Sequence, residues 1–301
     1  MSREISRRVF PPAKSDAASA RQVTPAPQTT NPAYRLAFQD MDFLLREDLR
    51  PVRFQLELLK PELLLEEANI GSTFVFYGSA RIPEPTKADM LIEAAVTDTQ
   101  REIAERLKAK SRYYDEARAL ASFASKAPLD ADGKRQFVVC SGGGPSIMEA
   151  ANRGAADAGA DSIGLNIVLP HEQAPNRFVT PSLSFQFHYF ALRKMHFLLR
   201  ARAVAVFPGG FGTFDETFEL LTLIQTGKMK PMPILFFGRD FWRRVVNFDA
   251  LVEEGVVGPN DLKLFRFVET AEQAWHHVNA FWAKREAERR EQEDEEQEAA
   301  E

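Results

Sequence analysis

The segment Ala203–Glu216, A-V-A-V-F-P-G-G-F-G-T-F-D-E, joins an apolar run to a glycine turn, a hydroxyl and two carboxylates. Gly209, Gly210 and Gly212 leave bare backbone for a ligand to approach, and Thr213 with the following F-D-E-T-F-E-L-L reads as the first turns of a helix. A helix start offers N–H groups that lack an acceptor in their own helix, at the positive end of the helix dipole. With the Thr213 hydroxyl this arrangement suits a phosphate. The alternative is a plain strand-to-helix turn in which Asp215 and Glu216 only favour a helix N-terminus. A second glycine loop, C-S-G-G-G-P-S-I-M (140–148), follows the strand-like Q-F-V-V. Two such loops converging on one sheet edge favour the anion site. Gly142, Gly143 and Gly144 serve either close approach of a ligand or tight strand-to-helix packing.

Arg193 and Lys194 sit near the start of a helix that leads into the strand before P-G-G, so connectivity keeps them near the same sheet edge. One of them can face an anion; a basic pair on a helix is otherwise simply solvated. Asp215 and Glu216, being adjacent, diverge by roughly 100° on a helix and cannot both face one atom. His188 and His196 flank the basic pair without metal-ligand spacing, so no metal is expected. Phe185, Phe187, Tyr189 and Phe190 read as core or subunit-contact aromatics rather than a base-stacking platform. Neither glycine loop fits G-x-G-x-x-G, and no G-K-S or G-K-T follows a glycine run, which argues against NAD and against ATP hydrolysis.

The elements that must position these residues alternate. Strand-like runs are expected at Thr73–Tyr77, Phe137–Cys140, Ser162–Leu169, Leu183–Phe187, Ala203–Phe207, Met232–Phe237 and Leu264–Val268. Helical segments are expected over Lys87–Ser125, Pro145–Gly159, Tyr189–Arg202, Thr213–Thr226, Asp240–Glu254 and from Ala271 onward. The expected fold is therefore α/β, a Rossmann-like, doubly wound, mainly parallel sheet with helices on both faces, plus an N-terminal helical extension. Ligands in such sheets bind beyond the carboxyl ends of the strands, where the glycine loops fall.

A chain of 301 residues with 45% hydrophobic content can bury one large core. Residues 1–33 read as a flexible arm, 34–70 as a helical extension, 71–284 as one α/β domain and 285–301 as a charged helical or disordered tail. The one cysteine, Cys140, excludes an internal disulfide and reads as a buried strand-end residue. A net charge of −5 argues against a nucleic-acid-coating surface. No apolar run reaches bilayer length and no signal-peptide core is present, so the expectation is a cytoplasmic protein without a membrane partner.

P-G-G-F-G-T-F-D-E resembles the P-G-G-x-G-T-x-x-E signature of the LOG ("Lonely guy") phosphoribohydrolases, a family long labelled lysine decarboxylases. F-Y-G-S-A-R (76–81), S-G-G-G-P-S-I-M-E-A-A-N-R-G-A (141–155), L-P-H-E-Q-A-P-N (169–176) and F-H-Y-F-A-L-R-K-M (187–195) fall in the family's order. The likeness covers residues 70–275 and is nearer the larger bacterial branch than the short plant enzymes. It implies cleavage of the N-glycosidic bond of a nucleoside 5′-monophosphate, either AMP or an N6-modified, cytokinin-type AMP, to free base and ribose 5-phosphate, without a cofactor. The family's R-K pair falls on Arg193 and Lys194 and its motif glutamate on Glu216, making Arg193 and Glu216 the implied catalytic pair. The phosphate is then expected on Gly209, Gly210, Gly212 and Thr213, assisted by Gly78 and Ser79. Lys194, Asp215, Glu172 and Thr222 complete the candidate substrate contacts. The family also implies a homodimer or higher homo-oligomer. A catalytically silent nucleotide sensor on the same fold is the second reading. A decarboxylase would need a pyridoxal-bearing lysine and its partners, and nothing in the chain points to one.

Overall fold

The computed structural model describes residues 10–170 and 174–298. Glu172 lies outside them. The chain divides into two compact units, Met1–Leu59 and Lys60–Glu301. In the first, short helical turns occupy Ala13–Ser19, Ala20–Gln22, Pro27–Thr30, Pro32–Tyr34 and Met41–Leu44. The Asp40 carboxylate caps the last of these by accepting from the N–H groups of Asp42 and Phe43. The Arg53 guanidinium donates to the Leu44 carbonyl at 3.0 Å. Helix α1, Arg50–Glu67, leads from the first unit into the second.

The second unit is built on seven parallel strands: β1 Thr73–Tyr77, β2 Val138–Ser141, β3 Ser162–Ile167, β4 Ser184–Phe187, β5 Ala201–Val206, β6 Ile234–Phe237 and β7 Arg266–Val268. Their order is β4-β3-β2-β1-β5-β6-β7. Winding outward from β1 in one direction and then, from β5, in the other makes the β1/β5 seam a topological switch point, where the diverging loops leave a crevice.

The strands read as unbroken apolar runs because both faces are covered. Phe74, Phe76, Ala203, Ala205, Leu235 and Phe237 point into one core, closed by α4 Arg112–Ala124, α5 Ile147–Asp157 and α10 Ala271–Glu298. Val75, Tyr77, Val204, Val206, Ile234 and Phe236 point into the other, closed by α6 Phe190–Leu199, α7 Phe211–Gln225, α8 Arg239–Val245 and α9 Phe248–Glu253. Alternate residues of each strand thus face opposite cores. The seam between α4 and α5 is made of small residues, and a Cβ on Gly154 would collide with the Arg118 backbone carbonyl, so these two helices pack backbone to backbone.

Several boundaries differ from the sequence expectation; the single helix expected over Asp240–Glu254, for example, is two, α8 and α9, the second capped by the Asn247 side chain. The helical stretch 87–125 is three helices, α2 Pro85–Glu93, α3 Asp98–Lys108 and α4. The break before α3 follows from a capping box in which Thr97 and Gln100 satisfy each other's backbone N–H groups. Strand β5 begins at Ala201 rather than Ala203, because a bulge lets Arg202 stay within the strand. Helix α7 begins at Phe211, two residues before Thr213.

Candidate active site

Four segments meet beyond the carboxyl ends of the central strands: Gly78-Ser79 after β1, Gly142 after β2, the Gly210 turn after β5 and the first turns of α7. They line a cavity of about 790 Å³, within the usual range for small-ligand pockets. Gly210 precedes α7 without a side-chain cap, so the first-turn N–H groups of Phe211, Gly212 and Thr213 have no acceptor in their own helix. Thr213 is buried, and its hydroxyl lies against Gly209, where any Cβ would strike it.

Arg193 crosses from α6 into the cavity wall and is held on three sides. Its Nε donates to the Leu165 carbonyl of β3 at 2.7 Å. Its Nη1 lies 3.5 Å from Glu216 Oε1, with both side chains largely buried. A Cβ on Gly142 would come within 2.6 Å of Nη2, so that glycine makes room for the guanidinium. The Phe197 ring lies beneath at 5.1 Å. Glu216 projects from α7 into the same wall. Burial, opposed by Arg193 and reinforced by Asp215, raises its carboxyl to about 7.

A buried amide network shapes the 142–144 loop. Asn176 donates from Nδ2 to the Gly143 carbonyl at 3.1 Å, the Gly144 carbonyl at 3.0 Å and Asn152 Oδ1 at 2.9 Å. Ser141 donates to the same Asn152 oxygen at 2.7 Å and accepts from the Gly143 N–H at 3.1 Å. Gly143 itself takes φ +74° and leaves no space for a Cβ against Asn166. Beneath the loop, burial pushes the Cys140 thiol far up, so it stays protonated and inert.

Residues 148–278 match the protein-family profile described as "Possible lysine decarboxylase". Over 151 residues the chain is 27% identical to the cytokinin riboside 5′-monophosphate phosphoribohydrolase LOG2 of Arabidopsis thaliana, a stretch covering 49% of this chain and 66% of that one, just under two thirds. The chain is similar to a LOG phosphoribohydrolase over about half of its length. Similar solved structures include the X-ray structure of TM1055, with a TM-score of 0.43 and 18% identity over 69% of this chain and 99% of that one. Another is the Moco carrier protein from Chlamydomonas reinhardtii, with a TM-score of 0.40 and 16% identity over 71% and 99%.

The cavity gathers Gly78, Ser79, Gly142, Arg193, Gly210, Gly212, Thr213 and Glu216. Gly143, Gly144 and Gly209 lie in the backbone just behind it. Asp215 and Lys194 are elsewhere: Lys194 Nζ sits 2.7 Å from Asp215 and 3.2 Å from Glu219, a pairing on the outer side of α7. Thr222 lines a separate apolar hollow with Phe218 and Phe248 and gives its hydroxyl to the Phe218 carbonyl at 2.7 Å. His196 is buried against Phe187, with Nδ1 3.6 Å from Glu62. Phe185 and Phe187 belong to the core, as expected, whereas Phe190 is half exposed and lines the cavity. The motif-by-motif reading also missed Arg81, Met148 and Phe211 in the wall and Asn152 and Asn176 beneath it. Arg81 and both asparagines stand inside segments that the resemblance had singled out, and their side-chain chemistry was the available signal.

Proposed function

We propose that the protein hydrolyses the N-glycosidic bond of nucleoside 5′-monophosphates, AMP or an N6-modified AMP, to the free base and ribose 5-phosphate. The observation that carries this reading is the buried Arg193–Glu216 pair, 3.5 Å apart, in the wall of a cavity whose neighbouring wall is bare glycine backbone at a helix start. The similarity to a phosphoribohydrolase supports it.

The 5′-phosphate rests on the first-turn N–H groups of α7 and on Gly78-Ser79, with Arg81 at the wall to match its second charge. As the base departs, positive charge develops on the ribose, and the Glu216 carboxylate stabilises it and orients or deprotonates the attacking water. Arg193 holds Glu216 in place and presents its guanidinium to the departing base or the ribose hydroxyls. Phe190 and Met148 offer apolar surface for a planar base. The cavity wall carries no lysine among the described residues, and Lys194 is engaged by two carboxylates, so the residues do not fit a pyridoxal-bearing decarboxylase.

The protein is proposed to act as a homodimer or larger homo-oligomer in the cytoplasm, without nucleic-acid or membrane partners; among the described residues no helix is long and apolar enough to cross a membrane. The test is release of free base from a panel of nucleoside monophosphates and matching nucleosides. Release from monophosphates alone, reduced about 100-fold or more by Glu216→Gln with binding retained, is the expected result. AMP binding without base release would establish the sensor instead.

A further inference from the structure

A second cavity of about 790 Å³ lies at the opposite, amino-terminal edge of the sheet, walled by Phe137, Arg202, Trp275 and Trp282. Three irregularities converge on it. In β5, Ala201 pairs with Thr73 and Ala203 with Phe74, so Arg202 is the extra residue of a bulge, a device that re-aims a side chain. The carbonyl of that residue accepts from Trp282 Nε1 at 3.0 Å, which fixes the bulge to α10. Phe137, at the entrance to β2, takes φ +53°, a region that bulky residues rarely occupy.

The third irregularity is electrostatic. The Arg202 guanidinium is half-buried, 4.0 Å from the Trp282 ring and 5.2 Å from Phe137, and its one hydrogen bond among the described residues runs from Nη1 to Gln136 Oε1 at 3.0 Å. The other charges at the cavity are committed elsewhere: Arg285 to Glu288, Arg289 to Glu293 and Glu286 to Arg290. Asp130 bonds the Gln136 amide, and Glu286 and then Asp130 act on Arg202 through space without a hydrogen bond or ion pair to it among the described residues. A half-buried cation ordinarily has an acid beside it. Here its remaining N–H groups are left without a carboxylate among the described residues.

We propose that this cavity is a binding site for a small aromatic carboxylate, with the ring against Trp275 and the carboxylate on the open N–H fork of Arg202. One unpaired positive charge is matched by one negative charge, and a planar fork matches a carboxylate in two parallel hydrogen bonds. A phosphate dianion would leave an excess of negative charge beside Asp130 and Glu286. Neither Arg193 nor Glu216 belongs to this cavity, so the inference stands apart from the proposed reaction.

Titration of the full-length protein with benzoate, followed by tryptophan emission and by ligand-observed NMR, tests it; acetate supplies charge without a ring, and benzamide a ring without charge. Saturable benzoate binding is expected, at least tenfold tighter than either control. Arg202→Gln should weaken it tenfold or more and Arg202→Lys by less, while Arg193→Gln leaves it unchanged. Circular dichroism checks folding, and the lysine variant carries the test if the glutamine variant does not fold. Absence of saturable binding, equal binding of acetate or benzamide, or loss in the Arg193 variant but not in the Arg202 variants would overturn the proposal.

Discussion

Burial raises the Glu216 carboxyl to about 7 while Arg193, 3.5 Å away, works in the opposite direction. In the proposed reaction Glu216 acts ionised, so kcat/KM for AMP should rise with pH through about 7 along a limb of one ionisation, and a profile flat from pH 5 to 9 would contradict the role. Removing the opposing charge with Arg193→Gln should move that limb to higher pH. The same raised value has a cost in stability. Between the ordinary glutamate range and about 7 the folded chain holds a proton that the unfolded chain has lost, so Glu216 subtracts stability as pH rises through this window. Glu216→Gln should therefore stabilise the fold at pH 8 relative to pH 5, by up to about 3 kcal/mol, as read from unfolding midpoints at the two pH values. That Asp215 and Glu216 would not both face inward was legible in the sequence, because adjacent helical residues diverge; the choice of Glu216 came from the resemblance of the signature. The seat of Lys194 was not, because its acceptor Glu219 lies on a helix that only the tertiary fold brings alongside.

Among the elements, the contact of α4 with α5 depends on one missing side chain. A methyl group on Gly154 meets backbone rather than a mobile side chain, so Gly154→Ala should cost about 1–3 kcal/mol and lower the melting temperature. An unchanged melting temperature would show that the helices separate freely. The strands were legible as apolar runs because both sheet faces are covered. Among the boundaries that escaped, several were set by local backbone chemistry: the Thr97 capping box, the Asn247 cap of α9, the bulge at Arg202 and the glycine-tolerant start of α7 at Phe211. Phe190 was read as a core or subunit-contact aromatic; its place at the first position of α6 sets it, half exposed, on the cavity wall rather than in the core.

For the whole molecule, the cavity mouth is unusually apolar for a surface exposed to water: Phe211 is 96% exposed and Phe190 52%, both on the wall of the same opening. Association of two copies across this opening would cover them. Light scattering should return about twice 33.9 kDa, and Phe211→Ser combined with Phe190→Ser should shift the protein toward monomer; a monomeric unmutated protein would remove this proposal. The order of the strands has a further consequence, for assembly in time. Strand β1 carries Gly78-Ser79 and β5 leads to Gly209-Gly210, yet these neighbours, paired from Thr73↔Ala201 to Tyr77↔Val206, are separated by well over a third of the chain. Such long-range pairing closes slowly. During refolding, helical signal should recover before ligand binding, because partly folded chains hold the two halves of the proposed phosphate cradle beside strands that have not yet met.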